Sequence, residues 1–321
     1  MNILLSTDDN YVMPTGVLMH SIGINNGSDI QYHILVNSEF LPTNKASLTK
    51  IAELYNNEIH FYTVNDDLTK ELPFGRGNMP EGVTIATYYR LFITKLLPDH
   101  INRIIYLDGD MIVRNSIKPL YEENLDGYAL GVVHDMDEMK HTRSNRLPYP
   151  MKTGYFNAGM MLINLAYWRE HDAFCMFMNF IRDNGSSIIY HDQDVLNSVF
   201  CDRKKWLSVK YNFQNGFIIK KNIELKTFNQ SIIGDISQNK TNPIIIHFSV
   251  GGPDHKPWYL FCFHPYRKEW LKYKAISQWK KQKLLPNEPD SFRRLVQRTL
   301  IALNLDWRKN KIYERVKLLD S

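Results

Sequence analysis

The chain has 321 residues, of which 44% are hydrophobic, and it carries 39 Lys and Arg against 34 Asp and Glu. This composition excludes wholesale disorder, and the length allows one large α/β domain or two smaller ones. The three cysteines lack metal-ligand spacing and cannot all pair, which excludes a disulfide framework and fits a reducing compartment. The amino terminus lacks a basic region, and no stretch approaches the ~18 apolar residues of a membrane span. We therefore expect a cytoplasmic protein.

The body of the chain alternates strand-like and helix-like patterns. Short apolar runs predict strands at residues 3–5, 32–36, 59–62, 103–107, 129–133, 159–163 and 244–248. Apolar residues at helical spacing predict helices at residues 15–24, 44–55, 84–97, 165–182 and 193–200. This alternation is typical of a mostly parallel sheet covered by helices on both faces. The sequence thus predicts an α/β fold.

The first predicted strand runs into a polar segment, Ser6-Thr7-Asp8-Asp9-Asn10-Tyr11. Ligands of parallel sheets bind beyond the carboxyl ends of the strands, so this segment is a candidate binding element. No G-x-G-x-x-G pattern follows it, because Gly75-Arg76-Gly77 is isolated, which argues against a nicotinamide or flavin site and against a P-loop. The alternative interpretation is that residues 8–10 cap the following helix.

The strand at residues 103–107 ends in a second polar cluster, Asp108-Gly109-Asp110. Alternate side chains of an extended backbone share a face, so both carboxylates can approach one ion. Two hard oxygen ligands suit Mg²⁺ or Mn²⁺ bridging a diphosphate, and Gly109 leaves room for a ligand near the backbone. The alternative is a bulge or turn with two solvated acids, because a D-x-D triplet alone is common.

Two further segments place polar residues beside apolar ones. Asn157 lies just before the strand at residues 159–163. The segment His191-Asp192-Gln193-Asp194 precedes an apolar helix, and by default Asp192 or Asp194 would simply cap that helix.

The last predicted strand is followed by a group of residues suited to phosphate. His247 stands at the strand end, Gly251 and Gly252 form a Gly-rich loop, and Lys256 follows. Together these residues would complete a metal site and neutralise phosphate. A lone His in such a position is more often a satisfied core residue.

In combination, these segments resemble glycosyltransferase family 8, the retaining sugar-nucleotide transferases that include bacterial lipopolysaccharide galactosyl- and glucosyltransferases and glycogenin. The elements that carry the resemblance occur in family order: Asp8-Asp9-Asn10-Tyr11, Tyr89-Arg90-Leu91, Tyr106-Leu107-Asp108-Gly109-Asp110, Phe156-Asn157-Ala158-Gly159, Asp192-Gln193-Asp194, and His247 with Lys256-Pro257-Trp258. The resemblance implies a GT-A fold over residues 1–263, built on a Rossmann-like nucleotide-binding half, with a basic, aromatic helical tail over residues 264–321.

The resemblance also implies roles for individual residues. Nucleotide and donor binding is expected of Ser6, Thr7, Asp8, Asn10, Tyr11, Arg90, Asp108, Gly109, Asn157, Asp192, Gly251, Gly252 and Lys256. Mn²⁺ (or Mg²⁺) ligation is expected of Asp108, Asp110 and His247, and catalysis of Asp192 and Gln193. The partners implied are a UDP-hexose donor and a glycan acceptor. One departure concerns His247 and Lys256, which are farther apart here than in the compact motif of bacterial relatives.

The implied reaction explains why these residue types are needed. Departure of UDP builds negative charge on the diphosphate and positive charge on the sugar ring. A divalent cation and Lys256 would stabilise the first, and the carboxamide oxygen of Gln193 the second. This arrangement favours front-side attack by the acceptor with retention of configuration. Double displacement, which would need Asp192 within bonding reach of the anomeric carbon, stays open.

The positive charge is concentrated at the carboxyl end. Residues 264–321 hold 15 Lys and Arg against 6 Asp and Glu, a net charge of +9, whereas the rest of the chain carries −4. Such a basic, aromatic tail suits peripheral association with the anionic inner face of a membrane, or it packs inward as a helical cap. Nucleic acid is not expected as a partner, because no binding motif accompanies the charge.

Two rival functions remain at this stage. The first is a metal-dependent phosphohydrolase that uses Asp108 and Asp110, although Met111-Ile112 follows the triplet where such enzymes usually have Gly-Thr. The second is a UDP-sugar binding module without catalytic activity.

Overall fold

A computed structural model of the protein describes residues 1–70, 72, 85–138, 146–219, 228–249 and 255–287. The strands are β1 (Asn2–Ser6), β2 (Gln31–Asn37), β3 (Glu58–Val64), β4 (Arg103–Leu107), β5 (Met111–Val113), β6 (Leu130–His134), β7 (Phe156–Asn164), β8 (Lys204–Trp206), β9 (Phe213–Gln214) and β10 (Ile245–His247). Seven of them form one sheet in the order β3-β2-β1-β4-β7-β6-β8, and three form a small sheet in the order β5-β10-β9.

The large sheet is mostly parallel, as the sequence predicts. Strands β3, β2, β1 and β4 pair in parallel, with Ile3 opposite Ile105 and Tyr32 opposite Ile59. Only β7 is reversed among the described strands of this sheet, since it pairs antiparallel with both β4 and β6. The carboxyl ends of β1, β4 and β6 therefore lie at one edge of the sheet, where parallel sheets bind their ligands.

Helices cover both faces of the sheet. The α-helices are Val12–Asn26, Pro42–Leu54, Asp66–Thr69, Ile93–Leu96, Lys118–Tyr121, Leu165–Glu170, Ala173–Asn184, His191–Val199, Asn215–Ile219, Gln230–Asn239 and Arg267–Ile276. The 3₁₀ helices are Ile85–Phe92, Met151–Thr153, Gly185–Ser187, Val209–Tyr211 and Gln278–Lys281. None of the described helices has the length and apolar composition needed to cross a bilayer.

The core has two halves, one on each face of the sheet. Ile3 and Leu5 of β1 belong to one buried cluster and Leu4 to the other, which is the alternation expected of a strand buried on both faces. Trp270, fully buried, packs into the first of these clusters. The helix Arg267–Ile276 thus packs against the body of the protein, which matches the inward-packed alternative for this part of the basic segment. Residues 288–321 lie outside the described part of the chain.

Two of the predicted helices differ from those observed. In the described part of the segment 84–97, a 3₁₀ helix, Ile85–Phe92, precedes the single α-helical turn Ile93–Leu96. The predicted helix at 165–182 is broken after Glu170, because Asp172 adopts a left-handed conformation with φ 42°. That conformation interrupts the hydrogen-bond ladder, so two helices replace one.

Candidate active site

A polar cavity lies beyond the carboxyl ends of β1 and β4. It is lined by Ser6, Thr7, Asp8, Tyr11, Ala86, Thr87, Arg90, Tyr106, Asp108, Gly109 and Asp110. Eight of these are expected site residues. The structure adds Ala86 and Thr87, and it adds Tyr106, which the sequence motif contains without an expected role. Asn10, which is exposed, is not among the lining residues.

The segment after β1 is held by the Asp8 carboxylate. Its Oδ1 accepts hydrogen bonds from the backbone N–H groups of Asn10 (3.0 Å) and Tyr11 (2.9 Å). Asp8 therefore closes the turn that leads into the helix Val12–Asn26, which is close to the capping alternative. Because Asp8 also lines the cavity, the structural and the binding interpretations of this residue are compatible.

The three predicted metal ligands converge beside this cavity. One ligand atom each from Asp108, Asp110 and His247 lie within 4.8 Å of one another. The Nε2 atom of His247 is 3.3 Å from Oδ1 of Asp110 and 3.9 Å from Oδ2 of Asp108. Gly159 makes this approach possible, since a Cβ atom there would lie 2.4 Å from Cε1 of His247 and 2.8 Å from Oδ2 of Asp108.

Arg90 and Tyr106 fix the orientation of Asp108. Its Oδ1 accepts hydrogen bonds from NH2 of Arg90 (3.0 Å) and from the hydroxyl of Tyr106 (2.7 Å). NH1 of Arg90 donates to the carbonyl of Ala158 at 2.7 Å, and the guanidinium stacks 4.1 Å from the Tyr106 ring centre. With Oδ1 engaged in this way, Oδ2 is the oxygen that faces His247.

Lys256 reaches the same centre from the far end of its loop. Its Nζ lies 2.5 Å from Oδ2 of Asp110 and donates to the carbonyl of Phe248 at 2.6 Å. Burial alone would raise the pKa of Asp110, but Lys256 and His247 outweigh burial and hold that pKa well below its ordinary value. Despite the long spacing from His247, Lys256 therefore lies beside the three expected metal ligands. Gly251 and Gly252 fall outside the described residues.

Asp192 lies on the other side of Arg90. Its Oδ2 is 3.0 Å from Nε of Arg90, but the Nε–H donates to the carbonyl of Thr87, and Oδ2 has no hydrogen-bond partner among the described residues. Burial raises the pKa of Asp192 to about 7, against the opposing effect of Arg90. A buried carboxylate oxygen without a partner is a place where a ligand hydroxyl can donate a hydrogen bond.

Gln193 is held from two sides. Its Oε1 accepts from the backbone N–H of Ala158 at 3.0 Å, and its Nε2 donates to Oδ2 of Asp135 at 3.4 Å. Asn157, in the register of β7, donates to the same Asp135 oxygen at 3.0 Å. The predicted residues Asn157 and Gln193 are thus brought together by Asp135, a residue that the sequence analysis missed although it follows a predicted strand.

Asp194 has a structural role that differs from the predicted cap. Its carboxylate accepts two hydrogen bonds from Arg146 (2.5 and 2.6 Å) and one from the Tyr155 hydroxyl (2.6 Å). It also accepts from the backbone N–H groups of Ile189 and Tyr190, which precede the helix His191–Val199. Asp194 therefore fixes the entry to that helix, and with it the positions of Asp192 and Gln193.

Asn212 is a further residue that sequence reasoning missed. Fully buried between the 3₁₀ helix Val209–Tyr211 and β9, it contacts Nδ1 of His247 through its Oδ1 at 2.9 Å. A single Asn between two very short elements carries no periodicity, so the sequence offers no signal for it.

Known proteins are similar to this chain in sequence. The sequence matches the family described as Glycosyl transferase family 8 over residues 2–260. General stress protein A of Bacillus subtilis (strain 168) is 29% identical over 285 residues, which cover 87% of this chain and 94% of that protein. The lipopolysaccharide glucosyltransferase WaaO of Escherichia coli (strain K12) is 28% identical over 301 residues, which cover 91% of this chain and 83% of that protein.

A solved structure shares the fold. The crystal structure of the galactosyltransferase LgtC, in complex with donor and acceptor sugar analogues, has a TM-score of 0.75 at 24% identity and covers 91% of this chain and 99% of that chain. The predicted GT-A fold is thereby confirmed. Because the family match spans most of the sequence, this chain belongs to glycosyl transferase family 8.

Proposed function

We propose that this chain is a metal-dependent, retaining hexosyltransferase that moves a hexose from a UDP-sugar to a glycan acceptor. The observation that carries the proposal is the convergence of Asp108, Asp110 and His247 on one point beside a polar cavity at the carboxyl ends of parallel strands. Catalytic and binding sites of parallel sheets are found at this edge.

The three side chains fit a divalent cation. Two carboxylates and an imidazole suit Mn²⁺, and Mg²⁺ shares the preference for the oxygens. When bound, the cation supplies Lewis-acid stabilisation of the negative charge on the diphosphate. Asp108, Asp110 and His247 would hold it, and the engagement of Oδ1 of Asp108 by Arg90 and Tyr106 leaves one oxygen of that residue for this purpose.

We assign different residues to the diphosphate and to the nucleoside of the donor. Lys256, at 2.5 Å from Asp110, lies close enough to the cluster to contact a diphosphate. The segment from Ser6 to Tyr11, with Gly109, would accommodate the uracil and ribose. At Gly109 a Cβ atom would lie 2.6 Å from Oγ1 of Thr15 and 3.1 Å from the Tyr11 ring, so glycine lets this turn pack closely against Thr15 and Tyr11.

The donor sugar would lie between Arg90 and Gln193. Oδ2 of Asp192, which accepts no hydrogen bond from the described residues, can accept one from a sugar hydroxyl, and Asn157 contributes a carboxamide nearby. We favour front-side attack: the acceptor oxygen bonds to the anomeric carbon, the bond to the phosphate oxygen breaks, and the departing phosphate takes the acceptor proton. Gln193 would face the anomeric carbon as a neutral carboxamide, which is too weak a nucleophile for a stable covalent intermediate.

The acceptor is proposed to be a cell-surface glycan such as lipopolysaccharide. WaaO is named as a lipopolysaccharide glucosyltransferase and LgtC as a galactosyltransferase, so the hexose in our proposal is glucose or galactose. A thermal-shift comparison of UDP-galactose, UDP-glucose and UDP-GlcNAc, each with Mn²⁺, identifies the donor by the largest increase in Tm.

An exposed apolar surface supports contact with the cytoplasmic face of a membrane. Leu260, Phe261, Phe263 and Leu285 have exposed side chains, and Leu260 pairs with Leu285 through the backbone. The described part of the chain ends beside this surface, since the Asn287 side chain bonds the backbone of Phe261, and the rest of the basic tail follows in sequence. We expect sedimentation with anionic vesicles but not neutral ones, weakened in Phe261→Ser/Phe263→Ser; equal binding to both vesicle types would contradict it.

The activity is tested by incubating the protein with UDP-sugars and Mn²⁺. Slow release of UDP is expected, abolished in Asp110→Asn and retained in Asp126→Asn, which alters an exposed carboxylate elsewhere. Release of inorganic phosphate from simple esters, without UDP-sugar binding, would instead establish the phosphohydrolase. Binding of UDP-sugar without UDP release, with or without acceptor glycans, would establish the silent binding module.

A further inference from the structure

A chain of hydrogen-bonded side chains joins the two halves of the site. Asn157 donates through Nδ2 to Asp135 (3.0 Å), Asn212 donates through Nδ2 to Oδ1 of Asn157 (2.9 Å), and Oδ1 of Asn212 contacts Nδ1 of His247 (2.9 Å). Gln193 donates to Asp135 at the other end. The chain therefore runs from the proposed metal ligand His247 to the side chains proposed to surround the sugar.

The groups at its ends fix the direction of every hydrogen bond. The Asp135 carboxylate only accepts, so the atom of Asn157 that faces it is the NH₂ group. The backbone N–H of Gly159 only donates, and it faces the other atom of the Asn157 amide at 3.1 Å, which must be Oδ1. The orientation of the Asn157 amide is thus determined by two independent contacts.

The orientation of the Asn157 amide in turn determines which ring nitrogen of His247 carries a proton. Because Oδ1 of Asn157 accepts, the atom of Asn212 that faces it is its NH₂ group, and the carbonyl oxygen of Asn212 must face His247. An amide oxygen only accepts, so Nδ1 of His247 carries a proton. In the neutral ring, Nε2 is then the unprotonated atom, and its lone pair points to the carboxylates of Asp108 and Asp110.

We propose that Asn212 is a positioning residue that sets the tautomer and the ring orientation of His247 for cation binding. This inference rests on the metal site of the proposed function. Asn212 is fully buried and His247 is 3% exposed, so water cannot easily replace the hydrogen bond between them. Partners of this kind, which bond the second nitrogen of a ligating imidazole, typically change metal affinity 10- to 100-fold when they are removed.

Asn212 also contacts the residues that are proposed to surround the donor sugar. Its NH₂ group engages Oδ1 of Asn157, and Asn157 shares the Asp135 oxygen with Gln193. A change at Asn212 that preserves the contact to His247 but removes the contact to Asn157 would separate the two effects. Asn212→Asp is that change, because a carboxylate accepts from Nδ1–H but cannot donate to Asn157.

Mn²⁺ binding, measured from the EPR signal of the unbound ion, tests the inference without reference to activity. Asn212→Leu should lower Mn²⁺ affinity about 10- to 100-fold, and Asn212→Asp should restore it to within about fivefold of the unmutated protein. The matched control is Asn57→Leu, which removes a buried Asn bonded to the backbone of Ile30 and Gly27, beside the amino ends of β2 and β3. This control should lose stability in urea but keep its Mn²⁺ affinity.

The possible outcomes distinguish the inference from the proposed function. If the unmutated protein binds no Mn²⁺, the proposed metal site is wrong. If it binds Mn²⁺ and Asn212→Leu binds equally well, or if Asn212→Asp fails to restore binding, only the role of Asn212 is wrong. Should Asn212→Leu not fold, ¹⁵N NMR of the histidine rings in the unmutated protein with Mg²⁺ decides: a proton on Nδ1 of neutral His247 supports the inference, and a proton on Nε2 contradicts it.

Discussion

Two acidic triplets of identical spacing, Asp108-Gly109-Asp110 and Asp192-Gln193-Asp194, occupy the same site and have different structures. In the first, a carboxylate oxygen from each acid contributes to a cluster with His247. In the second, Asp192 lies beside Arg90 and Asp194 binds Arg146, so each acid has its own cationic neighbour. The spacing of two acids therefore does not decide whether they share a ligand.

The backbone accounts for the difference. Asp108 follows β4 and Asp110 precedes β5, so the chain is extended on both sides of a short turn and the side chains can meet on one face. The second triplet lies in the first turn of the helix His191–Val199, where side chains two residues apart point about 160° away from each other around the helix axis.

Burial distinguishes Asp108 from Asp194, whereas Asp110 and Asp192 are both nearly buried. The side chain of Asp108 is 28% exposed, whereas that of Asp194 is completely buried. A charge removed from water needs a permanent partner, which Asp194 has in Arg146. We infer that the first triplet exchanges its partners with ligands and that the second supports the structure.

The largest expected effect concerns the second triplet. Asp194→Leu leaves the Arg146 guanidinium without its partner and should lower the free energy of unfolding by about 3–5 kcal/mol, measured by urea denaturation. The double variant Asp194→Leu/Arg146→Met should recover part of this loss, because no unpaired charge remains buried. A loss below about 1 kcal/mol in the single variant would contradict the structural role of Asp194.

The next prediction concerns the first triplet. Asp108→Asn should lower Mn²⁺ affinity by more than about 100-fold. The loss of a metal ligand should weaken binding more than the loss of a residue that only hydrogen-bonds to a metal ligand. Asp192→Asn, which removes a carboxylate of the other triplet, should change the affinity by less than about threefold. Calorimetric titration with Mn²⁺ measures both, and equal losses in the two variants would show that the triplets are not distinct.

The sequence anticipates the first triplet better than the second, and for a physical reason. A strand predicted at residues 103–107 implies that Asp108 and Asp110 can share a face, and the cluster with His247 agrees. For the second triplet, local pattern predicts a cap by Asp192 or Asp194. The Arg146 partner lies 48 residues away in the chain, and no local pattern reveals it.

The elements missed by the sequence have the same explanation. Strands β5 and β9 span three and two residues, too few for any periodicity, and they form the small sheet that carries His247 on β10. The break at Asp172 depends on a left-handed backbone that Asp tolerates without requiring.

A pH dependence sharpens the contrast within the second triplet. The pKa of Asp192 is raised by burial from 3.8 to about 7, so between these values the folded protein binds a proton that the unfolded chain has lost. Stability contributed by the neutral group is complete below pH 4 and is lost as pH rises through 7.

Asp192→Asn removes this dependence. Between pH 5 and pH 7, its stability relative to the unmutated protein should rise by about 2 kcal/mol, as measured by urea denaturation at the two pH values. A difference that stays constant, or that falls with pH, would mean that Arg90 keeps Asp192 ionised throughout.

The smallest expected effect tests whether the partner of Asp110 is exchangeable. In the absence of nucleotide, the Lys256 ammonium competes with a cation for Asp110, so Lys256→Met should raise Mn²⁺ affinity on the order of tenfold. Lys256→Arg, which keeps the charge, should show no such gain. With UDP present, Lys256→Met should instead bind Mn²⁺ more weakly than the unmutated protein, because the methionine cannot contact the diphosphate. Weaker Mn²⁺ binding by Lys256→Met without UDP would mean that Lys256 supports the cluster permanently, as Arg146 supports Asp194. The two triplets would then differ only in geometry.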